Sequence, residues 1–96
     1  MNSNTEEIKN EITLTTAAQL IVKQYNEVLK GNCSSDGFLA LVRHWLDFAS
    51  IKTEKDSNLE LLLGDIHAWA YEQNIEEAFS RIEKLIQPVL NLLKHE

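Results

Sequence analysis

The chain has 96 residues and a formal net charge of −6, with 44% hydrophobic and 25% charged residues but three glycines and one proline. That length allows one domain and one core. The composition excludes a disordered chain, and the scarcity of turn residues argues against a sandwich or barrel.

Residues 1–14 are polar and weakly periodic, a tail or a short helical turn opened by Thr5-Glu6-Glu7-Ile8, ahead of a single helical-bundle domain over residues 15–96. No basic segment leads into an apolar stretch after Met1, and no apolar run nears the ~20 residues that span a bilayer, so the expected location is cytoplasmic. The first helix is expected from Thr15 or Thr16, with a threonine as N-cap, to Lys30, where Gly31-Asn32 stops it. Ala18, Ile21, Val22, Tyr25, Val28 and Leu29 share one face of it.

Asn32 to Gly37 reads as a loop in which Ser35 or Asp36 caps the next helix. That second helix, about Gly37 to Ser50, carries Phe38, Leu41, Val42, Trp45 and Ala49 on one face, widened by Leu39, Leu46 and Phe48. Apolar over more than half its circumference, it is either central in the bundle or bears an interaction surface.

Ile51 to Asn58 is polar, with several possible caps. From Leu59 the pattern Leu59, Leu62, Leu63, Ile66, Trp69, Ala70 is helical, with Leu61 apolar but off the main face. Gly64 costs this helix ~1 kcal/mol relative to alanine, a cost most simply offset where a neighbouring helix packs close. Asn74 followed by Glu77 approximates a capping box and opens the last helix. Ile75, Ala78, Phe79, Ile82, Leu85, Ile86, Val89 and Leu93 turn inward on it. Pro88 removes a backbone donor and crowds the carbonyl four residues earlier, so this helix is expected to kink or restart there. The expected fold is all-α: a compact four-helix bundle whose short connections favour up-down-up-down topology.

Leu63-Gly64-Asp65, followed by Ala78 and Pro88, is loosely similar to one tetratricopeptide unit, a helical hairpin marked by a Leu-Gly pair, a small alanine and a terminal proline. His67 stands where that pattern has tyrosine, and Ala78 lies two residues too far along. One copy is present where a stable stack needs ~3, so the resemblance reads as helical-hairpin convergence and identifies no family.

Candidate chemistry is sparse. His44 and Asp47 sit three residues apart, a spacing at which a carboxylate can orient an imidazole, yet no nucleophile is placed to complete a catalytic set. His44, Glu60, Asp65 and His67 lack both the Glu-x-x-His and the His-Glu-x-x-His spacing, so no metal and no cofactor is expected. Cys33 is the one cysteine, in a loop without a basic neighbour, and reads as an ordinary thiol. Asn32-Cys33-Ser34 matches the glycosylation pattern and is read as chance.

The expected function is therefore a non-catalytic protein–protein interaction module, a small acidic adaptor or inhibitor. Trp45, Phe48, Trp69 and Tyr71 are the candidate contact residues, and Glu54, Asp56 and Glu60 the candidate acids for a basic partner. A narrower form is an immunity or antitoxin-type inhibitor masking a basic toxin. Another is a homodimer formed through the surplus apolar face of the second helix. The acidic balance disfavours nucleic acid and anionic membranes as partners.

Overall fold

The computed structural model describes residues 13–47 and 57–94. It is an all-α four-helix bundle: α1 (Leu14–Leu29), α2 (Ser35–Asp47), α3 (Ser57–Ala70) and α4 (Ile75–Lys94). Each helix buries four apolar residues at helical spacing: Leu14, Ala17, Ala18 and Ile21; Phe38, Leu39, Val42 and Leu46; Leu59, Leu63, Ile66 and Ala70; Ala78, Ile82, Ile86 and Val89. Burying these stripes against one another is the main force that closes the bundle.

Helix α1 begins at Leu14, one or two residues ahead of the expected Thr15 or Thr16. Thr13 is its N-cap, its hydroxyl accepting from the Thr16 amide at 3.1 Å. Leu14 accordingly belongs to the core and not to a tail; the rest of the expected tail, residues 1–12, lies outside the described residues. The helix ends as expected at Gly31, whose φ of +84° is the left-handed conformation that glycine adopts without penalty. There the Asn32 amide donates to the Glu27 carbonyl at 2.9 Å and the Gly31 amide to the Val28 carbonyl at 3.0 Å, a Schellman closure.

The cap of α2 is Ser34, one residue ahead of the two candidates, accepting from the Gly37 amide at 3.0 Å. Its buried face is rotated from the one the periodicity suggested: Leu39 and Leu46 are buried, while Leu41 and Trp45 are half-buried. The apolar circumference of α2 is largely consumed by packing, because the helix lies with neighbours on both flanks. Phe38 near its start meets Phe79 of α4 with ring centroids 5.6 Å apart, and Asp47 at its end reaches His67 and Tyr71 of the third-helix terminus. Phe48 and Ala49, expected to extend this face, lie outside the described residues.

Helices α3 and α4 form an antiparallel hairpin through the turn at residues 71–74. Asn74 caps α4 as expected, its side-chain oxygen accepting from the Glu77 amide at 3.0 Å. The reciprocal half of the capping box is replaced by an ion pair, Glu77 holding the Arg81 guanidinium at 3.2 Å. Helix α4 runs unbroken through Pro88 instead of restarting. Proline leaves the Lys84 carbonyl without its usual helical donor, and Lys84 and Gln87 are exposed, so water can satisfy the group.

Gly64 corrects a packing expectation. A Cβ placed on it would meet nothing within 4 Å, so among the described residues none packs against it and its helical cost is uncompensated by contact.

Candidate functional site

Helical spacing divides the flanks of α3 into two edges around its buried stripe. Glu60, Gly64, His67 and Tyr71 follow one edge, beside α2. Asn58, Leu62, Asp65 and Trp69 follow the other, beside α4. The structure builds something different on each.

On the α2 side, Asp47 accepts from the Tyr71 hydroxyl at 2.7 and 2.8 Å and pairs with His67 Nε2 at 2.8 Å. The Tyr71 hydrogen bond, followed by the His67 one, holds the Asp47 carboxyl below its ordinary range. The same bond to Asp47 raises the Tyr71 phenol. Arg43 completes the group, donating to the Ala70 carbonyl at 2.7 Å and lying 5.7 Å from the centre of the Tyr71 ring. The C-terminus of α3, with its negative dipole character, lies here, and the guanidinium on the Ala70 carbonyl offsets it. The cluster thus ties the end of α2 to the end of α3. Asp47 draws on His67 across the helices, a partner that the His44 spacing on its own helix did not suggest.

On the α4 side lies a shallow groove of about 440 Å³, lined by Asn58, Leu61, Leu62, Pro88, Asn91 and Leu92. Its apolar walls are open to solvent, and Leu61 at its rim is 68% exposed, the most exposed of the large hydrophobic residues described. Further along the same crevice Trp69 is half-buried beneath Arg81, whose guanidinium carbon is 5.2 Å from the ring centre.

The expected contact residues therefore do not form one patch. Trp69 faces α4 while Tyr71, with its hydroxyl bound to Asp47, faces α2. Trp45 is half-buried against the core. Glu60 is exposed on the α2 edge, away from the groove; Phe48, Glu54 and Asp56 lie outside the described residues. The residue that the aromatic reading passed over is Leu61, and the signal for it was its apolar character off the main stripe of α3.

Among the described residues, no three potential metal ligands gather, His67 being directed to Asp47. Cys33 is half-buried, its thiol donating to the Ser34 carbonyl at 3.3 Å. No helix of the described residues is long and apolar enough to cross a membrane.

No protein-family model, curated protein or solved structure matches the chain.

Proposed function

We propose that the chain is a non-catalytic protein–protein interaction module whose contact surface is the outer face of the α3–α4 hairpin. The observation that carries this reading is the exposure of Leu61, 68%, on the rim of an apolar groove whose walls are Leu62, Pro88 and Leu92. A leucine in that setting leaves apolar surface in water on both sides of the groove, and a docked helix removes it. Half-buried Trp69 extends the face with a residue type that anchors interfaces.

The alternative of a basic toxin masked by acidic side chains has the net charge of −6 behind it. Its described acid, Glu60, stands on the opposite edge of α3 and contributes nothing to the groove. The hairpin face is thus the better supported surface.

The test is photo-crosslinking inside the source cells, with a photoreactive phenylalanine analogue at position 61 and, as control, at position 60 on the other edge. Discrete protein adducts from position 61 but not from position 60 support the reading. Equal labelling from both positions, or none from position 61, refutes it.

A further inference from the structure

We propose that the occupant of the hairpin groove is a second copy of this chain, docked about a two-fold axis running along the hairpin; this rests on the hairpin face being a contact surface. Asn58 and Leu62 share the groove lining with Leu92 and Pro88, and Trp69 meets Arg81, which in an antiparallel hairpin fits the pairings 58 with 92, 62 with 88 and 69 with 81. These pairings set Asp65 level with Leu85, and so within one residue's rise, about 1.5 Å, of Lys84. Asp65 follows Leu61 by four residues and Lys84 precedes Pro88 by four, so both continue the groove face one turn onward. Both are exposed, and neither takes part in the Lys30–Glu27 or Arg81–Glu77 ion pair or in the His67–Asp47 hydrogen bond.

The face is consequently apolar at one end, with one acidic rim on α3 and one basic rim on α4 at nearly the same height. A two-fold axis parallel to the hairpin places α3 of one copy over α4 of the other without changing heights. Under that operation the apolar ends meet each other, and Asp65 of each copy faces Lys84 of the other, twice. A face carrying a single sign of charge could not pair with itself in this way. The arrangement parallels coiled-coil recognition, in which flanking charges fix partner and register around an apolar seam. The seam spans about three helical turns, from Asn58 to Trp69.

Sedimentation equilibrium on the full chain tests this at concentrations from low to high micromolar. The wild type is expected to approach twice the monomer mass, and Leu61→Asp to remain monomeric with an unchanged helical circular-dichroism spectrum. Asp65→Lys and Lys84→Asp are each expected to weaken association by roughly tenfold or more, because each reverses two symmetric pairs. The double variant, with both rims exchanged, is expected to dimerise like the wild type. A wild type that stays monomeric at high micromolar concentration overturns the inference, as does a double variant no better than its parents. If position-61 crosslinks appear in cells while the purified chain is monomeric, the hairpin face still binds protein and the second copy alone is excluded as its occupant.

Discussion

Tyr25 of α1 donates a 2.6 Å hydrogen bond to Glu83 of α4, closing the bundle between residues 58 positions apart. The Tyr25 ring stacks on Phe79 at 5.9 Å and meets the edge of Phe38 at 6.2 Å. Burial, then the bond to Glu83 and that carboxylate's charge, push the Tyr25 phenol up to about 12. The folded state therefore holds the proton more tightly than the unfolded chain, whose tyrosines ionise near 10.0. Stability contributed by this pair is fully present below pH 10 and is lost as pH rises toward 12. Tyr25→Phe should cost about 1 kcal/mol at neutral pH, the scale of one exposed hydrogen bond, and should flatten the alkaline loss. Urea titrations of both proteins at several pH values between 9 and 12 check this; parallel alkaline slopes would show that Tyr25 is not responsible.

Asp47 contributes to stability on the acid side. Its carboxyl is lowered by Tyr71 and then His67, so the folded state favours the charged form more than the unfolded chain does. The stability from this cluster is present above the ordinary carboxylate value of 3.8 and disappears as pH falls through the lowered one. Asp47→Asn should lower Tm at pH 7 while narrowing the difference from wild type under strongly acidic conditions. Thermal melts across the acid range report it, and a constant Tm gap at every pH counts against the assignment.

The glycines give opposite expectations. Gly64 is helical, exposed and open around its missing Cβ, so Gly64→Ala should stabilise the protein by about 0.5–1 kcal/mol. Gly31 sits at φ +84°, where a Cβ is strained, and Gly31→Ala should destabilise by about 1 kcal/mol. Chemical denaturation of the two variants distinguishes these signs directly; a destabilising Gly64→Ala would mean that something packs over that turn.

Much of this architecture was legible in the sequence because burial repeats with helical period. The stripes Leu59, Leu63, Ile66, Ala70 and Ala78, Ile82, Ile86, Val89 are continuous in three- and four-residue steps, and Asn74 marks its helix start by capping chemistry. The face of α2 was less legible: with apolar residues at 38, 39, 41, 42, 45 and 46, periodicity alone does not say which arc is innermost, and neighbours on both flanks decided for Leu39 and Leu46. Gly64 was misread because a glycine in an apolar helix carries no sign of whether its bare side meets a neighbour or water. The groove was hidden for a different reason. Leu61 and Pro88 are 27 positions apart, and their proximity is a property of the hairpin register, while the tryptophans and tyrosines that attracted interest are shared between the core and two separate edges of α3. His67 pairs with Asp47 across 20 positions, a contact that same-helix spacing could not propose.

The claim that the α3–α4 outer face seats a second copy of the chain is tested most directly by backbone amide spectra of the labelled protein recorded on dilution from high to low micromolar concentration. Shifts are expected to be confined to residues 58–69 and 81–92, with the amides around Leu29, the other strongly exposed leucine at 62%, unmoved. Shifts centred on Leu29 or on α2, or a spectrum unchanged across the series, would contradict it.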